Sequence, residues 1–367
     1  MTYFSPGPKT DRRDLYDREK ELSQLVDALR GRDRLIVVTG IRRIGKTSLI
    51  RVAVKESKLP CVYLDLRRLE AYSDAALLSL LSDELNSFIP LHKRLAGYLK
   101  SVRGVSVEGL YVSLSLKPPK PSLAKLLDEM DRWAEKENQP LVIALDEAQE
   151  LRFFKGRYNF AKIIAYSYDS HRAVKFLVSG SEVGVLYSTL GLNDARSPLY
   201  GRYRKVIQLE RFSPDLARDF LVEGFKQEGV VVEGWVVERA VDVFDGVVGW
   251  LAFYGAEVAD RVRRGEEISE SVLDAVVDEA VETVRQELLK LKSLSRLYIP
   301  VLKSLSTGDK TWSQVRSSVE QGLGRTVAKA QLSRALRNLE NLSYIQRVDG
   351  RYVLLDRLTG VAVRDMR

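Results

Sequence analysis

Between about residue 30 and residue 212, short runs of apolar and β-branched residues alternate with amphipathic stretches, the pattern of a sheet assembled from βαβ units. The runs RLIVVT (34–39), CVYLDL (61–66), LVIALD (141–146), VKFLVS (174–179) and KVIQL (205–209) are apolar almost without interruption, as strands covered on both faces must be. They predict a mostly parallel sheet. At 102–117 the rhythm breaks. Strict alternation about Glu108-Gly109, followed by a KPPKP stretch, predicts an inserted β-hairpin that decorates the surface.

Beyond Pro214 the strand signal fades, and 214–292 reads as several helices, among them a long amphipathic one over about 268–292. From about Ser293 the chain gives a helix at YIPVLKSL, a short helix after Thr311, a third over about 328–341, and two short strands, YIQRV and RYVLL, about Asp349-Gly350. Three helices and a hairpin wing predict a winged helix-turn-helix. The expected organisation is an α/β domain at 12–212, a helical lid at 213–292 and a winged helix at 293–367. No internal repeat interrupts this plan.

Composition narrows the classes. The chain has 367 residues, 45% of them hydrophobic, enough for a large core. No apolar run is long enough to span a membrane, and the N-terminal stretch is polar from its fifth residue, so a cytoplasmic protein with no membrane partner is expected. One cysteine, Cys61, sits in an apolar run and reads as a small buried hydrophobe; a disulfide framework is excluded. With His92 and His171 as the only histidines, a zinc cluster is excluded as well, and any metal must be hard and oxygen-bound. Charge is distributed unevenly. Residues 285–367 hold 16 Lys/Arg against 7 Asp/Glu, a balance of +9, whereas the remaining 284 residues balance at −1. Such an excess suits an anionic partner, nucleic acid first.

The chemistry concentrates in GIRRIGKTS, the segment Gly40, Ile41, Arg42, Arg43, Ile44, Gly45, Lys46, Thr47 and Ser48, which matches the phosphate-loop pattern between a strand and an amphipathic helix. Its glycines permit a tight loop whose amides cradle phosphate, and the helix N-terminus favours negative charge. Lys46 is expected on the β- and γ-phosphates of ATP, and the Thr47 hydroxyl on Mg²⁺. LVIALDEAQE then ends a strand in Asp146, expected to hold Mg²⁺ through water, and Glu147, expected to polarise the attacking water. Gln149 either orients that water or makes a surface contact. In VKFLVSGSE, Ser179 or Ser181 reads as a γ-phosphate sensor or as a turn-forming serine. Arg202, in SPLYGR, is a finger acting in trans, a sensor in cis or an ion-pair partner. Arg42 and Arg43 face phosphate, neighbouring carboxylates or a partner subunit.

In order, GIRRIGKTSL, LDEAQEL, LVSGSE, SPLYGR and DGVVGWLAFYG make the chain resemble the archaeal ATPase family of STAND/AAA+ proteins over most of residues 12–260. That resemblance implies an AAA+ core of the additional-strand P-loop class, a helical lid and slow ATP hydrolysis with ATP/ADP and Mg²⁺ as cofactors. It also implies that YDREKEL, through Tyr16, Asp17 and Arg18, contacts adenine. Asp17 stands where the family has glycine, and Asp245 and Val248 stand where its lid motif has glycine and proline. In the C-terminal helix AKAQLSRALRNLE, Lys329, Gln331, Arg334, Arg337 and Asn338 are the expected polar contacts to double-stranded DNA, while Leu332, Leu336 and Leu339 pack inward. Arg347 and Arg351 lie on the wing near phosphate. Winged helices also bind proteins or one another. Three functions are therefore expected to compete: a STAND-like switch, an initiator-like or motor ATPase on DNA, and a non-hydrolysing nucleotide-bound scaffold.

Overall fold

The computed structural model describes residues 2–366; Arg367, the last residue of the expected winged helix, lies outside the described residues. From the amino end, α1 (Glu19–Arg30) leads into β1 (Leu35–Thr39), α2 (Lys46–Ser57) and β2 (Cys61–Asp65). Next come α3 (Asp74–Phe88), α4 (Lys93–Leu99), the hairpin β3 (Val105–Glu108) and β4 (Tyr111–Leu114), and α5 (Leu123–Lys136). Then β5 (Leu141–Asp146), α6 (Phe160–Ser170), β6 (Val174–Gly180), α7 (Val183–Leu190) and β7 (Lys205–Gln208) complete the sheet region.

The five long strands pair in parallel in the order β2-β5-β6-β1-β7. Burial follows position. Every residue of the interior strands β1, β5 and β6 is buried, whereas the edge strands β2 and β7 alternate or open to solvent. Helices pack on both faces for the reason their spacing gives: in α5, Leu123, Leu126, Leu127, Met130, Trp133 and Ala134 recur at three- and four-residue steps and are buried together. Each large side chain so buried contributes roughly 1.5–3 kcal/mol. Cys61, on the edge strand β2, is half-buried, and burial of its sulfur pushes the thiol up to about 12.

Four further helices follow: α8 (Pro214–Gln227), α9 (Gly234–Phe244), α10 (Val248–Arg263) and the long α11 (Glu270–Leu294). The last stretch is α12 (Tyr298–Leu305), β8 (Lys310–Thr311), α13 (Trp312–Leu323), α14 (Lys329–Asn341), β9 (Ile345–Val348), β10 (Arg351–Leu354) and α15 (Arg357–Arg364). Its strands form an antiparallel sheet in the order β8-β10-β9. The sequence pattern did not announce β8 or α15. Because α15 packs back on α11 and α12, one continuous apolar cluster runs from Phe212 to Met366. The boundary expected at 292 falls inside that cluster.

Residues 2–11 also make defined contacts. The Phe4 ring lies where a Cβ on Gly224 of α8 or on Gly255 of α10 would stand 2.3 and 2.4 Å from it, so only glycine at both positions lets the ring in. A few residues later, the Lys9 amide donates to the Ser48 hydroxyl at 3.0 Å. The N-terminal segment thereby bridges the helical region and the helix that follows the phosphate loop.

Candidate nucleotide site

The carboxyl ends of β1, β5 and β6 meet where the strand order reverses, the place at which open parallel sheets bind ligands. Here α2 begins at Lys46 without a side-chain cap, although α3, α5 and α6 are capped by Ser73, Ser122 and Asn159. Its first-turn amides therefore need an external acceptor, and an anion supplies one. Lys46 is buried, and its ammonium donates to the carbonyls of Gly40 and Ile41, each at 2.9 Å. Burial lowers its pKa to about 8 against the opposing pull of Glu147 and Asp146. Ile44 is fully buried, and Ile41 packs toward both the helical core and the core under α1 and α2.

Across the crevice, Asp146 is 1% exposed at the end of β5. Its Oδ2 accepts from the Thr47 hydroxyl at 2.9 Å and from the Tyr63 hydroxyl at 2.5 Å, and its Oδ1 accepts from the Ser179 hydroxyl. Glu147 follows in a left-handed backbone conformation, φ 54°, with its amide donating to the Ser179 oxygen at 3.2 Å. That turn aims the carboxylate along the strand ends, where Oε2 accepts from Ser181 Oγ at 2.7 Å and Gln149 Nε2 at 2.5 Å. Burial resists ionisation of Glu147, but Lys46, Gln149 and Ser181 outweigh it and hold the carboxyl below its ordinary range. Gln149 is itself buried, and its Oε1 has no partner among the described residues, an unsatisfied acceptor beside Glu147.

These donors suit magnesium. Thr47 and Asp146 present hard oxygens already in contact, and among the described residues no group of three or more His, Cys, Asp or Glu gathers to hold a metal alone. Two protein oxygens, with the remaining ligands from phosphate and water, is how Mg²⁺ is usually held.

The loop arginines face carboxylates. Arg42 reaches Glu182 at 2.7 Å and Glu287 at 3.5 Å; Arg43 pairs with Glu287 at 2.6 Å and lies over the Trp250 ring, 4.1 Å from its centroid. Glu182, 3% exposed, also accepts from Arg152. From α10 the Gly249 amide donates to the Arg43 carbonyl at 2.8 Å, and a Cβ on Gly249 would stand 2.7 Å from that of Arg43. Trp250 in turn donates to Asp356, which caps α15. The phosphate loop is thus joined through α10 and α11 to the last helix of the chain.

The remaining expected residues are placed as follows. Tyr16 packs edge-on against Tyr3, Phe220 and Phe212. Asp17 adopts φ 54°, the conformation glycine would take most easily, and Arg18 follows at φ 72°. The Arg18 side chain is a buried strut over Phe212 that donates to the Glu210 carbonyl at 2.6 Å. Arg202 precedes β7 and pairs with Asp169, which precedes β6, so both lie at the amino ends of the parallel strands, opposite the phosphate loop. A sensor role for Arg202 in cis is corrected on that geometry. On α14, Lys329, Gln331, Arg334 and Arg337 are exposed, as are Arg347 on β9 and Arg351 on β10. Asn338 is the exception: its amide donates to the Tyr298 hydroxyl at 2.8 Å, which turns it inward and removes it from the DNA-facing set. Sequence reasoning missed Tyr63, Glu182, Trp250 and Glu287. Only Tyr63 carried a local signal, a polar tip two residues before the end of an apolar strand.

A five-stranded parallel sheet with a phosphate loop after β1, an acidic strand end on β5 and β6 interposed between them defines a P-loop ATPase fold. The chain belongs to the family of ATPase domains found predominantly in Archaea, whose model matches residues 15–252. It is similar over 98% of its length, at 30% identity and a TM-score of 0.82, to the Walker-type ATPase PABY2304 of Pyrococcus abyssi, of which 99% is covered. The ORC2 protein of Aeropyrum pernix, solved in ADPNP and ADP complexes, shares the fold at 16% identity and a TM-score of 0.64, with 98% of this chain and 97% of that one covered. No curated protein matches the chain. Among the described residues no helix is long and apolar enough to cross a membrane.

Proposed function

We propose that this ATPase is a cytoplasmic, STAND-like switch that binds ATP with Mg²⁺, hydrolyses it slowly, and couples nucleotide state to a C-terminal winged helix that docks on double-stranded DNA. The observation that carries the reading is the pairing of Arg42 and Arg43, within the phosphate loop, with Glu287 of α11. Any change in the loop on binding phosphate is felt by α11, and α11 shares its core with the winged helix.

In this reading Lys46 leaves the Gly40 and Ile41 carbonyls for the β- and γ-phosphates, and the α2 amides hold the same anion. Thr47 and Asp146 hold magnesium, which supplies neutralisation of charge on the phosphate oxygens when bound. Glu147, kept ionised, accepts a proton from water, and Gln149 Nε2 holds that carboxylate in place. Ser179 and Ser181 keep the two carboxylates apart and aimed. Hydrolysis then releases the γ-phosphate, and the lid equilibrium shifts only by the difference in affinity of ATP and ADP for its two arrangements.

Turnover measured with Mg²⁺ for the wild type, Lys46→Ala and Glu147→Gln, with and without duplex DNA over a salt series, tests the reading. Lys46→Ala is expected to weaken ATP binding by about 10- to 100-fold, the worth of charge-assisted hydrogen bonds. Glu147→Gln should bind ATP but turn over about 100-fold or more slowly, the usual share of a general base. A wild type that binds ATP, never hydrolyses it and ignores DNA overturns the switch in favour of a nucleotide-stabilised scaffold. Fast DNA-stimulated turnover in a stable ring overturns it in favour of a motor.

A further inference from the structure

The segment inserted between β2 and β5 carries a rigid, cationic finger. Residues 89–121 hold six Lys/Arg and one Asp/Glu, a concentration of positive charge far from the winged helix in sequence. Lys93, Lys100, Arg103 and Lys117 are exposed and have no acidic partner among the described residues; Arg94 and Lys120 are paired with Glu137 and Asp74.

The base of the hairpin is pinned. On its inner face Val112 and Leu114 are buried against α3, where the Asn86 side chain accepts from the Val112 amide at 2.7 Å and donates to the Val112 carbonyl at 2.9 Å. Below it, the Tyr158 hydroxyl donates to the Pro121 carbonyl at 2.7 Å and the Ser115 amide to the Gly104 carbonyl at 2.8 Å. The tip is not covered. Tyr111 is 61% exposed and Leu110 39%, and Leu91, just before α4, is 81% exposed.

A scaffold fixed at its base, with an apolar pair exposed at the tip and unpaired cations at the root of the hairpin and on α4, suits a partner with dense negative charge and an apolar interior reachable through a groove. A DNA duplex has both: cations neutralise phosphates, and apolar wedges enter between base steps. An acidic protein surface offers the charge but no stack to enter. We propose that the β3–β4 hairpin is a second DNA contact, separate from the winged helix, in which Leu110 and Tyr111 enter the minor groove while Lys93, Lys100, Arg103 and Lys117 bind the flanking phosphates. This goes beyond the winged-helix reading and does not depend on it.

The test uses the full chain and a short labelled duplex with 2-aminopurine at a flexible TA step. Three variants are compared: Leu110→Ala/Tyr111→Ala at the tip, Lys93→Ala/Lys100→Ala/Arg103→Ala/Lys117→Ala on the flanks, and Arg334→Ala/Arg337→Ala on α14. All should keep wild-type ATP binding and far-UV circular dichroism, which shows that they fold. The flank variant is expected to lower the slope of log affinity against log salt by about 3 to 4, at ~0.9 per phosphate lost. The tip variant is expected to abolish the rise in 2-aminopurine fluorescence while keeping most of the salt slope. If only the α14 variant loses binding, the hairpin proposal falls and the winged-helix reading stands. If only the hairpin variants lose it, the reverse holds. Equal competition by polyglutamate of matched charge, or no duplex binding by wild type at low salt, overturns the proposal.

Discussion

Lys46 is held by two demands that oppose each other. Burial favours its neutral form and lowers the pKa to about 8, yet phosphate binds only the charged form. Bound nucleotide must therefore raise that pKa again, so above about pH 8 binding takes up a proton, and apparent ATP affinity falls as pH rises through that value. Calorimetric titration at pH 8.5 in two buffers of different ionisation enthalpy should show the uptake, and Lys46→Ala should abolish it. Gln149 is testable by a different route. Removing its amide in Gln149→Ala takes a hydrogen bond from Glu147, so kcat should fall by about 10-fold, in line with the loss of ~1.4 kcal/mol for one hydrogen bond, with KM little changed. Its role could be named from the sequence only as one of two options, because the spacing DEAQ says nothing of burial. What removes it from the surface is the end of β6, where Gly180 and the following Ser181 close over it.

At the scale of elements, α11 is the part whose function the sequence could not display. Periodicity gave its length and its amphipathic face, but Glu287 meets Arg43 across 244 residues and leaves no local mark. Glu287→Ala strands the Arg43 guanidinium beside the phosphate loop, while Arg42 keeps Glu182; we expect ADP release to quicken by about 10-fold and Tm to fall, since half-buried charge-assisted bonds are worth ~1.5–3 kcal/mol. Stopped-flow release of a fluorescent ADP analogue measures it. The strands, by contrast, were legible almost residue for residue, because interior parallel strands are apolar on both faces and in β1, β5 and β6 only Thr39, Asp146, Lys175 and Ser179 interrupt the run. For the same reason the short β8 escaped notice: two residues, Lys310 and Thr311, carry no period at all.

Across the whole molecule, the nucleotide crevice and Arg202 sit at opposite ends of one sheet, so Arg202 can meet a γ-phosphate only on another copy. Arg202→Ala removes a half-exposed pair with Asp169 worth about 0–1 kcal/mol and should leave Tm nearly unchanged. If the arginine acts in trans, wild-type turnover per chain should rise with protein concentration and the variant's should not; parallel curves leave Arg202 as a surface ion pair. The shared core from α8 to α15 also packs the four helices after β7 against the last stretch of the chain, a contact that the local sequence pattern did not convey. How far they can travel is set at the other end of the chain. Phe4 is lodged between α8 and α10, and Lys9 is fastened to Ser48 on α2. The five residue-to-residue steps from one anchor to the other form a leash, and fully extended it reaches roughly 17 Å. Opening beyond that length must first pull one of the two anchors out.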